Sequence, residues 1–532
     1  MLPAPLPDLD ALDPAALKAL LIAKHNESLE QHKELKSNSQ QIEHLKLVIE
    51  KLRRMLFGVK SEKLTRELEQ LELRLEELET TQAADQASED AAEAEQAGST
   101  GATSKPRASR PRRKPLPEDL PREIITHMPS HDCCPDCGGE LRRFGEDISE
   151  QLERIPATYK VIRHVRPKFA CSGCDHVVEA PAPARPIERG LAGPTLLAHV
   201  LMSKYGHHLP LYRQAEIFAR EGVALDRSTL AGWVGQVSEL MAPLVSALRD
   251  HVMAAQKLHA DDTPVPVLAP VTGKTRTGRL WTYVRDDRPS GDQTPPAVWF
   301  AYSEDRKGEH PRQHLTDFTG ALQADAYARF HHLYGAGRIY EVACWAHARR
   351  KLYEIHAIHP SPTTSEAMSK IAALYAIEDE IRGKPAEYRR EVRQSRAKPL
   401  IDELHKWMEK TVRKLSPKSE TAAAIRYSLS RWRSLTRYID DGRLEMDNNS
   451  AERALRVVDL GRKNYLFAGS DAGGERAAAV YSLIGSARLN GLDPEHYLRT
   501  VLARIADHPV NRIADLLPWN MTTVQTHTSQ AA

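Results

Sequence analysis

Residues 254–268 read AAQKLHADDTPVPVL, and 278–287 (GRLWTYVRDD) and 297–305 (AVWFAYSED) share the same texture. All three are rich in β-branched and aromatic residues and are separated by Gly, Pro and Asp, as successive strands joined by turns would be. A helical stretch is expected over 309–318. GALQADAYARF (320–330) then reads as a short strand ending at Asp325, and IYEVACWAHARRKLYE (339–354) as a strand stepping into a helix. Three hairpin-linked strands followed by alternating helices and strands predict a mixed sheet with helical cover, an α/β domain.

That sheet carries acids in unusual places. Asp261 and Asp262 fall inside the first strand and Asp325 at the end of the fourth. A carboxylate beside apolar strand sequence is costly unless it is paired, exposed or bound to a metal. If the two strands are neighbours, Asp261 and Asp325 bracket a divalent cation with oxygen ligands; a lone aspartate at a strand end is otherwise an ordinary turn residue. Further on, RLEMDNNSAERALRVVDL (443–460) starts a helix at Asp447 or Asn448 that carries Glu452, with Arg453 and Arg456 close after it. Glu452 can return a third carboxylate to the aspartates, although a first-turn glutamate is also a common helix-dipole choice.

Outward from this domain the chain divides into modules. Residues 20–80 place Leu35, Ile42, Leu45, Ile49, Leu52 and Leu56, then Leu64, Leu68, Leu71, Leu75 and Leu78, at three-four spacing. Such a stripe wants a partner helix. The basic break RRMLFGVKSEKL (53–64), with Gly58, leaves two readings: two coiled-coil segments around a turn, or one irregular helix. The partner is either a second chain or the same protein. Residues 81–121 lose the periodicity and end in KPRASRPRRKP (105–115), a Pro-rich basic linker expected to be disordered and able to lie along a phosphate backbone.

Residues 122–182 hold Cys134 and Cys137 in CPDCGG and Cys171 and Cys174 in CSGC, separated by a hairpin-like alternation. Two chelating pairs predict one tetrahedral Zn²⁺, structural because four protein ligands leave no open position. Cys133 is an alternative to Cys134, with less usual spacing to Cys137. Residues 190–250 read as a helix, a turn at Gly222 and a second helix capped by Asp226 or Ser228. This is helix-turn-helix-like, with Arg227, Ser228, Thr229 and Trp233 on the candidate recognition helix. The sheet domain spans 251–350 and resumes over 444–490; 351–443 is a helical insertion and 491–532 a helical segment with a tail.

Composition sets outer limits. The chain has 532 residues and 59.6 kDa, beyond one ordinary core, which implies several domains. Lys plus Arg total 74 and Asp plus Glu 72, so net charge (+2) selects no partner. Six cysteines are too few for a disulfide scaffold and fit a metal in a reducing compartment. No apolar run approaches the ~18 residues of a membrane span. The first residues, MLPAPLPDLDALDP, lack the basic start and apolar core of a secretory signal.

Several of these motifs together resemble the bacterial transposases of the insertion sequence 66 family, a branch of the DDE transposases. They are FGVKSEKL, CPDCGG with CSGC, LHADDTPVPVL, GRLWTYVRDD, LQADAYARF, CWAHARRKLYE, and DNNSAERALR followed by GRKNYLFAGSDAGG. The resemblance runs over nearly the whole chain. It implies a ribonuclease-H-like mixed-sheet catalytic domain interrupted by a helical insertion, with Asp261, Asp325 and Glu452 as catalytic acids. Those acids would hold two Mg²⁺ (or Mn²⁺) ions for cleavage and strand transfer of DNA at element ends. It further implies a supporting role for Cys344 and His347, and candidate phosphate contacts at Arg453, Arg456, Arg462 and Lys463. The partners expected are transposon-end and target DNA, a second copy of the chain and accessory transposition proteins, in the bacterial cytoplasm at the nucleoid. One departure is visible: the family commonly has Glu after its first aspartate, where this chain has Asp262. A non-catalytic, zinc-containing DNA-binding regulator is the alternative function; it would need no widely separated acids.

Overall fold

The computed structural model describes residues 41, 42, 45, 71, 74, 75, 77–83, 116, 118, 120–129, 137–155, 158–174, 176–269, 274–325, 330–335, 337–464 and 468–521. Cys133, Cys134, the break at 53–64, most of the basic linker and the last eleven residues lie outside them.

The alternating sequence between the cysteine pairs forms a long hairpin. Strand β1 (Arg122–Thr126) runs parallel to β3 (Thr158–Cys171), which pairs antiparallel with β2 (Leu141–Ile155) and β4 (Val177–Glu179). At one end of the hairpin Leu152, Tyr159 and Val161 enter the main hydrophobic core beside Leu196 and Leu197. At the other end the cysteines gather.

Four helices follow: α1 (Pro194–Leu201), α2 (Leu211–Arg220), α3 (Arg227–Leu240) and α4 (Ala242–Met253). The turn between α2 and α3 contains Gly222 at φ +86°, a left-handed conformation that glycine adopts without a Cβ penalty. Asp226 occupies the N-cap position of α3 but makes no side-chain cap bond. Trp233 is only 6% exposed and packs in the core, which removes it from any DNA-facing surface. The apolar positions of α3 (Leu230, Trp233, Val234, Val237) explain this, since they share one stripe that must be buried.

The second sheet has the order β7-β6-β5-β8-β9, from β5 (Lys257–Ala269), β6 (Lys274–Arg285), β7 (Ala297–Ser303), β8 (Gly320–Ala324) and β9 (Ile339–Ala343). The first three form an antiparallel meander, and β8 and β9 join parallel to β5. The helix between β7 and β8 is shorter than the sequence suggested, Glu309–His314, because Leu315 and Phe318 turn into the core instead. Helix α5 (Trp345–Ile358) leaves β9. Helices α4 and α5 run through positions 250/251 and 350/351, so module edges placed there divide continuous helices.

Helices α6 (Pro362–Ile381), α7 (Ala386–Val392), α8 (Lys398–Lys414) and α9 (Glu420–Ser430) build a second core around Ile371, Leu374, Leu404, Met408 and Ile425. Arg389 and Arg393 are buried beneath it. Arg389 pairs with Glu445 at 2.8 Å and donates to the Gly442 carbonyl; Arg393 pairs with Glu378 at 2.6 Å and donates to the Leu444 carbonyl. The insertion thereby grips the segment that leads back to the sheet. That segment opens α10 (Asn449–Asn464), followed by α11 (Asp471–Leu489) and α12 (Pro494–Arg504). Near the N-terminus Ile42 and Leu45 pack with Leu71, Leu75 and Leu78 of the same chain, so the two halves of the apolar stripe meet each other. Among the described residues no helix is long and apolar enough to cross a membrane.

Candidate active site and metal centre

The parallel ladder between β5 and β8 ends at the pair Ala260–Ala324. Asp261 and Asp325 are therefore the next positions on two adjacent strands. The register depends on Gly320, which opens β8 at φ +136° and whose Cβ, if it had one, would meet the Gln256 carbonyl oxygen at 2.1 Å. Glu452 arrives from the first turn of α10, half-buried.

The acidity of Asp261 reports how the three are grouped. Its carboxyl is pushed up to about 7, first by burial and then by the negative charge of Asp325, with smaller contributions from Asp262 and Glu452. A hydrogen bond from the Asp262 backbone N–H partly offsets this. Carboxylates that crowd a buried aspartate with like charge make a natural cation site.

Asp262 belongs elsewhere. Alternation along β5 sends it to the opposite face, where its carboxylate receives Arg306 at 2.7 Å and Arg279 at 3.0 Å with the side chain fully buried. Its neighbour in the sequence faces the acids, and Asp262 holds two guanidinium groups instead.

The sulfur and imidazole singled out in the sequence sit beside Glu452. The ligand atoms of Cys344, His347 and Glu452 lie within 4.8 Å of one another, with His347 Nδ1 3.8 Å from Glu452 Oε1. Cys344 is buried and its thiol is pushed up to about 12 by that burial, so it stays protonated. Arg350, one turn beyond His347 on α5, brings Nη2 to 3.5 Å from Glu452 Oε2 while remaining half exposed. Sequence reasoning missed Arg350; its i+3 spacing from His347 on a helical stretch was the available signal.

The basic candidates divide. Arg453 and Arg456 are exposed on α10, one and four residues after Glu452, whereas the side chains of Arg462 and Lys463 lie outside the described set. Ser228 is exposed at the start of α3 and Thr229 half-buried. Arg227 is mostly covered, 3.9 Å from the buried Glu79 of the N-terminal helix.

At the far end of the β2–β3 hairpin three thiols converge. Cys137 Sγ lies 3.3 Å from Cys171 Sγ and 3.2 Å from Cys174 Sγ, and none is in a disulfide. The Cys171 thiol is lowered to about 7, mainly by the Gly173 backbone N–H and then by Cys137. Three thiols this close, with that of Cys171 acidified, fit Zn²⁺.

This assembly of sheet, acids and thiol cluster has clear relatives. The transposase IS66 family profile matches residues 189–476, and the zinc-finger binding domain of transposase IS66 matches 131–175. Residues 44–125 match the profile described as transposase C of IS166 homeodomain, and 482–519 the IS66 C-terminal element. The chain belongs to the IS66 family of transposases. Among its relatives is the uncharacterised protein y4hP of Sinorhizobium fredii, 44% identical across 89% of this chain and 88% of its own length. Another, y4qI of the same organism, is 38% identical across 97% of this chain and 98% of its own. A short stretch is similar to YuaK of Escherichia coli, 47% identical over 9% of this chain and 52% of that protein.

Proposed function

We propose that this chain is a DNA transposase that cleaves and rejoins strands at the ends of an insertion sequence, with Asp261, Asp325 and Glu452 as its catalytic acids. The observation that carries the reading is the meeting of these acids: two come from adjacent strand ends and one from a helix beyond the insertion, and all act on the acidity of Asp261. An antiparallel three-strand meander extended by two parallel strands supports a ribonuclease-H-like catalytic domain.

The gathered carboxylates fit Mg²⁺ or Mn²⁺, since a cation would relieve the repulsion that raises Asp261. When bound, such ions supply charge neutralisation at the attacking and leaving oxygens of a phosphodiester. The protein's own part is positional. Asp261 and Asp325 are held by the β5–β8 register, and Glu452 by the start of α10. Arg350 beside Glu452, with Arg453 and Arg456 on α10, would donate to phosphate oxygens, and Arg462 and Lys463 are the further candidate phosphate contacts. Cys344 and His347 support Glu452 from behind. Cys134 is the proposed fourth ligand completing a structural Zn²⁺ site with Cys137, Cys171 and Cys174. End and target DNA are the substrates. A homo-oligomer that pairs two ends, accessory proteins and a cytoplasmic, nucleoid location complete the proposal.

The test is a labelled end duplex with Mn²⁺, scored separately for binding, nicking and joining. Asp261→Ala, Asp325→Ala and Glu452→Ala should each lose nicking by at least ~100-fold while still binding the duplex. Near-normal nicking by folded Asp325→Ala or Glu452→Ala protein would overturn the assignment.

A further inference from the structure

Asn448 is fully buried at the threshold of α10, yet its side chain does not cap its own helix. It reaches back to β5. Its Nδ2 donates to the Ala260 carbonyl at 2.8 Å, one residue before Asp261. Its Oδ1 lies 3.1 Å from His259 Nδ1, and since an amide oxygen can only accept, the ring nitrogen is the donor. The backbone is equally engaged: Asn448 N–H donates to Cys344 Sγ at 3.2 Å, and its carbonyl accepts from Ala451 N and Glu452 N at 3.1 and 3.3 Å. One residue thus ties together the strand of Asp261, the cysteine preceding α5 and the amide of Glu452.

We propose that Asn448 is the positioning residue that sets Glu452 in register with Asp261, so that the acids close on one divalent cation. The proposal rests on the catalytic reading of those acids. It follows from the chain's layout, because Glu452 returns to the sheet only after the whole helical insertion, and a long excursion gives its end no local register. The insertion's arginines fix the segment through Glu445 and the Gly442 and Leu444 carbonyls. Lys257, at the far start of β5, also donates to the Arg443 carbonyl at 3.0 Å, and Asn448 binds the segment to β5 right beside the first acid, at Ala260. Outer groups that orient metal ligands typically change metal affinity 10–100-fold when removed.

Serine is the informative replacement. It retains a helix-capping hydroxyl but is too short to bridge to the Ala260 carbonyl and His259. The experiment uses the full, zinc-loaded chain as wild type, Asn448→Ser, Asn448→Ala and, for reference, Asp261→Ala. Mn²⁺ binding is read from the free-ion paramagnetic resonance signal, duplex affinity and nicking from the labelled end duplex, and folding from thermal unfolding. The Asn448 variants should bind duplex as wild type does, yet bind Mn²⁺ at least ~10-fold more weakly. They should nick about 100-fold more slowly at saturating DNA, with partial rescue by excess Mn²⁺. A merely structural residue would lower the unfolding temperature and leave Mn²⁺ affinity and nicking per folded molecule unchanged, which would overturn the proposal. So would failure of both variants to fold, or the absence of any Asp261-dependent Mn²⁺ site in the wild type. A wild type that binds Mn²⁺ through Asp261 but nicks no end duplex would sink the transposase reading alone, and the Mn²⁺ comparison would still decide the role of Asn448.

Discussion

Asp261 and Asp262 are adjacent in β5 and have opposite surroundings. The first is crowded by burial and by like charges, the second by Arg279 and Arg306. A raised pKa means that ionising Asp261 opposes folding of the metal-free protein. Its favourable contribution is complete below the ordinary aspartate pKa near 3.8 and is lost as pH climbs toward about 7. Asp261→Asn should therefore raise the unfolding temperature of metal-free protein at pH 8 and change it little at pH 4; equal effects at both would refute the crowding. Asp262→Ala should act the other way. It strands two partly buried guanidinium groups and should cost about 3 kcal/mol in denaturant unfolding. A loss of nicking in that variant with stability unchanged would move the metal ligand one residue along.

At the scale of elements, β7 is one of the sheet's two edge strands, and two of its outward N–H groups are met from α11. Val298 N–H donates to Ser486 Oγ at 3.0 Å and Phe300 N–H to Ser482 Oγ at 2.8 Å, both serines buried. Covering an edge in this way blocks pairing with other strands. Ser482→Ala with Ser486→Ala should cost about 1–3 kcal/mol per bare amide and promote aggregation, measured by chemical unfolding and light scattering. The zinc hairpin is divided along its length. Chelation should open the cysteine end to amide exchange, while the end holding Leu152 and Val161 stays protected in the main core. Uniform loss of protection along β2 and β3 would contradict this.

These elements also mark where the sequence stops being legible. Strand texture and turn residues announced the meander of β5 to β7, the short β8 ending before Asp325, and the step from β9 into α5, because those signals are local. The partners of Asp262 were not readable, since Arg306 lies beyond two further strands and nothing near Asp262 announces it. The same holds for Asn448, which looks like any helix-start asparagine until β5 is placed beside it. The serines of α11 carry no periodic mark that separates an edge cover from ordinary helix positions.

For the whole molecule, the apolar stripe announced a partner helix without saying whose. Ile42 and Leu45 meet Leu71, Leu75 and Leu78 of the same chain, and Glu77, between Leu75 and Leu78, pairs with Arg476 of α11. The N-terminal helices are thus fastened to the sheet domain that carries the acids. Cysteines introduced at Ile42 and Leu75 should oxidise within one chain and leave its mass unchanged under denaturing, non-reducing conditions. A covalent dimer would show that the stripe joins two chains instead.

The central claim is that three acids from distant parts of the sequence hold one metal site. Replacing the divalent cation with Fe²⁺ and adding ascorbate and peroxide cuts the polypeptide beside the bound ion, so the fragments map its ligands. Cuts are expected near 261, 325 and 452 together, all three lost in Asp325→Ala, with any cuts at the separate cysteine cluster unaffected. Cuts near 261 and 452 that persist in folded Asp325→Ala protein, or cuts at only one of the three positions in the wild type, would contradict it.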